Sequence, residues 1–159
     1  MNIMAHFETV IADKIKTALC SRKDAKPQGF CFKNMDVFRF HIADKNAVDK
    51  TTVRHIEVNA KPPTVTRYPF PKYTCEITVY AFIPNEEENA VNELGELSAL
   101  VQDVIDSFVY DVSPLNAENE LMVTKVEVSA TDNDADLGNA GRAESYVATV
   151  NFLRLEKTE

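Results

Sequence analysis

Apolar residues recur at Ile3, Phe7, Val10, Ile11, Ile15, Ala18 and Leu19. Spacings of three and four place them on one stripe of a helix over residues 3–20, with Glu8, Asp13, Lys14 and Lys16 off it. The period then changes to two. Phe38, Phe40 and Ile42 alternate with Arg39 and His41 in the manner of a half-buried strand, and Thr52–Val58 reads as a second strand after a polar turn. Cys75, Ile77, Val79 and Ala81 form a third, expected to be central because the residues between them are also largely apolar. Helical spacing returns at Ala90, Leu94, Leu97, Val101, Val104, Ile105 and Phe108, which predicts a second helix near 86–108. Asn85 is placed to cap it, with Glu88 in capping-box position and Glu86–Glu88 favoured by the helix dipole. Met122, Thr124, Val126 and Val128 alternate as a fourth strand, and Tyr146, Ala148, Val150 and Phe152 as a fifth.

The order α-β-β-β-α-β-β predicts one α+β domain over 1–159. Its sheet should be mostly antiparallel, of about five strands, with both helices packed on one face. Two segments interrupt the pattern. Residues 61–72 hold Pro62, Pro63, Pro69 and Pro71 around Tyr68 and Phe70. Each proline lacks a ladder donor, so this is expected to be an extended arm and not a central strand. Such a stiff arm suits docking on a neighbour, or packing on its own domain. Residues 131–141 form an acidic loop, with Arg142 at the mouth of the last strand.

Composition removes several functions. The net charge of −8 opposes tight binding to a phosphate backbone, so the Phe30/Phe32 and Phe38/Phe40 pairs read as core and not as a base-stacking platform. Three cysteines without a C-x-x-C pair read as free thiols of a reducing compartment. No basic-then-apolar signal opens the chain, and no apolar run approaches the roughly 20 residues of a membrane span. A cytoplasmic product with no membrane contact is expected.

Candidate chemistry is sparse. Asp132, Asp134 and Asp136 alternate as at the start of an EF-hand loop, which makes weak calcium binding a candidate. The glycine and glutamate that loop requires would fall at Leu137 and Ala143, while Gly138 and Glu144 come one residue late. A solvated loop, or an inter-subunit contact through Asp132, Asp134 and Arg142, fits these residues better. His41 and His55 lie in strands that can be neighbours, but no cysteine or carboxylate stands at ligand spacing. Nucleophile elbows and phosphate loops are absent, the four glycines being scattered at 29, 95, 138 and 141. No cofactor and no catalysis are expected.

The helix-strand order supports one resemblance. Pro71–Ala81 supplies a strand after a proline, Asn85–Phe108 a long second helix, and Met122–Val128 the next strand. The loop with Asp132 and Asp134, then Arg142 and Tyr146–Leu155, closes the chain. This resembles the tail terminator, or tail completion, proteins of long-tailed bacteriophages and related minor tail proteins. The resemblance implies a homo-oligomeric, hexameric ring that caps the tail tube and meets the head-completion protein. It implies partners in the tail tube protein and the head connector, DNA passing without specific binding, and no active site. The location it implies is the bacterial host cytoplasm during assembly, then the virion tail. Tyr68, Phe70, Asp132, Asp134 and Arg142 would be interface residues. The competing expectation is a small α+β ligand- or protein-binding module, dimeric in one version, without catalysis.

Overall fold

The first helix forms where the apolar stripe puts it. In the computed structural model α1 spans Ile3–Ser21 and buries Ile3, Phe7, Ile11, Ile15 and Leu19. The structure describes residues 2–21, 36–39, 55–67, 69–84, 90–118, 120–130, 135–136 and 141–155, with backbone alone at 20–21, 36–39, 84, 90–93, 130, 135–136 and 141–144. After α1 come β1 (Asp36–Arg39), β2 (His55–Ala60), β3 (Thr64–Thr66) and β4 (Lys72–Pro84). Then follow α2 (Ala90–Tyr110), a 3-10 turn (Ser113–Leu115), β5 (Leu121–Ala130), β6 (Ala135–Asp136) and β7 (Gly141–Arg154). The expected capping box at Asn85–Glu88, the acidic Asp132 and Asp134, and Tyr68 lie outside the described residues.

The α+β architecture matches the expectation. Five strands form the sheet in the order β1-β2-β4-β7-β5, with β3 added on β4 and β6 on β7. All pairs are antiparallel except β1 with β2. Both β4 and β5 run antiparallel to β7 between them, so α2 is the crossover of a split β-α-β unit. One face is consistent across the sheet. Val58 lies opposite Val79, Val79 opposite Tyr146, and Val126 opposite Val150, all buried. Both helices cover this face, α1 over β1 and β2, and α2 over β4, β7 and β5. Phe7 meets Phe152 edge-on at 5.4 Å, and Tyr73 stacks on Phe152 at 5.4 Å. Side chains of this size each contribute about 1.5–3 kcal/mol on burial.

Four details depart from the periodicity. Thr124 is an extra residue: the register slips between Val123 and Lys125, so Val123 faces the core while Met122 and Thr124 are exposed. A bulge inverts the alternation on one side of itself. Glu8, expected off the stripe, is fully buried, and its Oε1 accepts the Ala60 N–H at 2.8 Å. The proline arm is in part a hairpin, since Thr64–Thr66 pairs with Lys72–Thr74. The acidic loop likewise contains a short pairing, Ala135–Asp136 against Arg142–Ala143.

Candidate assembly surface

The β3–β4 hairpin is built by its prolines. Pro62 and Pro63 precede β3, and Pro69 and Pro71 bracket Phe70 before β4 begins. A proline tolerates only an edge position in a ladder, and β3 is such an addition, three residues long. The result is a short, stiff projection with Phe70 76% exposed at its tip. Val65, Met122 and Leu155 are exposed nearby in the fold. The registers Thr66↔Lys72, Tyr73↔Phe152 and Met122↔Leu153 place all four at the same end of the sheet. A shallow depression of about 290 Å³ lies there, lined by Met4 of α1, Pro63, Val65, Tyr73 and Arg154.

The helical layer presents a different surface. Between α1 and α2 runs a cleft of about 340 Å³ with Ala18, Leu100 and Val104 as its apolar lining and Lys14, Asp103 and Ser107 beside them. Lys14 Nζ sits 4.6 Å from the centre of the Phe108 ring. Glu96, Gln102, Asp103 and Asp106 reach the outer side of α2, and Gln102 donates to Asp106 at 2.8 Å. Tyr110, at the end of α2, is 90% exposed. Beyond it Asp111 Oδ1 accepts from the Ser113 hydroxyl at 2.6 Å and the Ser113 N–H at 3.1 Å, fixing the 3-10 turn. Those two bonds hold its carboxyl below the ordinary aspartate range.

Of the residues singled out from sequence, Phe70 is on the projecting hairpin as expected. Asp136 and Arg142 are register partners in the β6–β7 ladder. They lie at the Pro84 end of β4, because Ile83 pairs with Arg142, and so at the other end of the sheet from Phe70. The structure therefore does not join Phe70 and Arg142 into one surface of a single copy. The described elements on either side of the acidic segment are strands, β5 and β7, and not the two helices that frame an EF-hand. Among the described residues, no group of three His, Cys, Asp or Glu side chains is arranged to hold a metal. His41 lies outside those residues.

One polar cluster escaped the sequence reading. On the sheet face away from the helices, His55 is fully buried and its Nε2 donates to Glu57 Oε1 at 2.9 Å. Phe82, the residue directly opposite His55, is also buried, with the rings 5.4 Å apart. Tyr80, opposite Glu57, has its hydroxyl pKa raised by burial and then by the Glu57 carboxylate. The alternation of Ile56 and Val58 marked only one face of β2, so it gave no signal for His55. Cys75 is buried in the core, and its Sγ donates to the Lys61 carbonyl at 3.3 Å. Burial, then the Glu76 charge, pushes its pKa up to about 11, which keeps it a thiol and a poor nucleophile. His6 donates to the Leu115 carbonyl at 3.0 Å, tying α1 to the 3-10 turn.

Among the described residues, no helix is long and apolar enough to cross a membrane. Comparison with protein-family models and with curated proteins gives no match.

Proposed function

We propose that the chain is a structural component of a phage or prophage tail, a tail terminator. Its copies close a ring over the end of the tail tube and present a surface to the head-completion protein. The observation that carries the reading is the exposed aromatic on the proline-bracketed hairpin. The core is closed beneath both helices, yet Phe70 is left 76% exposed at the hairpin turn, with Val65 exposed on the same hairpin. Apolar side chains grouped at a projecting tip suit contact with another protein. The helix-strand order that resembles tail terminators supports the same reading.

In this role the protein is not an enzyme and needs no cofactor. Its contacts are with itself, the tube protein and the head connector. DNA passes an acidic lumen without adhering, as the net charge of −8 favours. Assembly takes place in the bacterial host cytoplasm, and the product ends in the virion tail. Native mass spectrometry of the purified full chain tests this. A closed oligomer of defined subunit number, six in the family it resembles, is expected, and the same preparation should halt polymerisation of purified tail tubes. A species that stays monomeric at every concentration and leaves tube growth unchanged refutes the proposal. A discrete dimer that binds a small ligand would favour the binding-module reading instead.

A further inference from the structure

One corner of the sheet carries no acid. It is built by residues 2–4 at the start of α1, by residues 61–75 through β3 and into β4, and by residues 152–155 at the end of β7. These stretches hold Lys61, Arg67, Lys72 and Arg154 and no aspartate or glutamate, in a protein with 25 acidic residues and a net charge of −8. Lys61 is engaged with Glu76 at 2.8 Å. Arg67, Lys72 and Arg154 are exposed and make no ion pair or hydrogen bond with a described residue. Thr66 pairs with Lys72 and Tyr73 with Phe152, so the three cations stand at the ends of three neighbouring strands. At the usual spacing between strands their backbones fall within roughly 10 Å of one another. Glu118 and Glu120 line a separate depression with His6, on the β5 side.

We propose that this corner binds an acidic segment of another protein. One aliphatic or aromatic side chain of the segment seats over Met4, Pro63, Val65 and Tyr73, and carboxylates on either side of it meet Arg154, Lys72 and Arg67. The inference rests on the reading of the hairpin as a contact surface, and it names the chemistry of what the hairpin meets. The depression at the corner, about 290 Å³, has Arg154 as its only charged lining residue among those described. Its apolar lining is open to a partner: Val65 is 40% exposed, and Met4, Pro63 and Tyr73 are half-buried. That volume suits one side chain and not a larger ligand. Unpaired cations beside it favour carboxylates, which the arginines can hold through paired hydrogen bonds. Phe70, 76% exposed between Arg67 and Lys72, adds apolar contact, and the prolines around it leave little backbone freedom to lose on binding. A longer polyanion fits less well. A nucleic acid or an anionic membrane extends past the corner and meets a chain that is acidic overall, whereas a short segment stays within the roughly 8 Å over which charges act at physiological salt.

The test uses the full chain. A random peptide library is selected against it and, in parallel, against the chain carrying Arg67→Glu, Lys72→Glu and Arg154→Glu. The first selection should enrich peptides with aspartate or glutamate around one aliphatic or aromatic residue, and the second should not. Fluorescence anisotropy of the leading peptide, labelled, should show affinity falling at least about tenfold in the triple variant and falling with added salt. Phe70→Ser should weaken binding as well, while Arg154→Lys retains most of it. Circular dichroism should show every variant folded, since each replaced side chain is exposed. No enrichment, enrichment of basic or neutral peptides, or equal binding by the triple variant overturns the inference. Tighter binding of oligothymidylate or of phosphatidylserine vesicles, lost in the triple variant, also overturns it, in favour of a nucleic acid or a membrane. Native mass spectrometry reads the ring separately. A ring that binds no acidic peptide removes this inference alone, and a monomer that binds one removes the ring alone.

Discussion

Replacing Glu8 should cost more than any exposed carboxylate of the chain. Its carboxylate is fully buried on α1 and accepts the N–H of Ala60, the last residue of β2, at 2.8 Å. The reason lies in the ladder. Lys61 donates to Glu76 of β4, so by alternation the Ala60 N–H points away from β4, toward the β1 side. Among the described residues the pairing of β1 reaches Arg39↔Val58, two residues short of Ala60. Glu8 supplies from a helix the acceptor for this strand-end N–H. Removing it leaves a buried N–H without a partner, a cost of about 1–3 kcal/mol, and loses a bond to a charged group worth about 1.5–3 kcal/mol. Part of that is recovered because a buried carboxylate no longer has to be desolvated. For Glu8→Leu the net loss is expected at about 2 kcal/mol.

Glu8→Gln keeps an oxygen in place and should lose roughly half as much. Urea unfolding followed by circular dichroism reads both. With a slope near 2 kcal/mol per molar, Glu8→Leu should lower the midpoint by about 1 M. The protein concentration must be held constant, because any self-association would add its own stability. A Leu variant within about 0.5 kcal/mol of the parent would show that the bond adds nothing. A Gln variant as unstable as the Leu variant would show that charge, and not the acceptor, is what the site requires.

Three further outcomes are expected. Gly95 lies exposed within α2 with nothing among the described residues within 4 Å of an added Cβ, so Gly95→Ala should stabilise by about 0.5–1 kcal/mol, read as a higher thermal midpoint. Ser98, buried on the same helix, has a hydroxyl with no hydrogen-bond partner among the described residues; Ser98→Ala should raise stability by about 1 kcal/mol, and a loss would mean the hydroxyl is satisfied. Cys75 should resist iodoacetamide at pH 8 in the folded protein and react once urea is added, as peptide mass spectrometry would show. Because its folded pKa is raised from 9.0 to about 11, its contribution to stability is complete below about pH 9 and is lost as pH rises through 11.

The elements legible in the sequence were those whose side chains all answer to one partner surface. Tyr146, Ala148, Val150 and Phe152 face only the helices, and their period of two survives unbroken in β7. β5 was legible as a strand but not in phase, because nothing in Met-Val-Thr-Lys-Val announces that Thr124 is the bulged residue. Glu8 follows Met4 by four and precedes Ala12 by four, the spacing of the buried stripe; its charge was what hid it. The buried His55–Glu57 pair was missed for the opposite reason, since polar residues alternating with Ile56 and Val58 look like a solvated face. At the candidate surface, Phe70 was legible from its prolines. The cleft was not, because it is made by residues far apart in the chain, Ala18 with Leu100 and Val104.

The arrangement also bears on how copies of this chain should not meet. A sheet with open edges invites edge-to-edge pairing, which would propagate without a defined end. Here β5 is the last strand in the sheet order, and it carries a bulge at Thr124 and the exposed Lys125–Glu127 ion pair, both of which discourage a further strand. The short β3 addition is bracketed by prolines that cannot donate to a new neighbour. With β5 and β3 blunted in this way, a contact between copies would fall to side-chain surfaces, and those differ: an exposed Phe70 flanked by Arg67 and Lys72 on the sheet layer, and a helix α2 whose charged residues are all acidic on the other. A contact of that kind fixes one rotation per added copy. It can close, and a ring that closes stops growing.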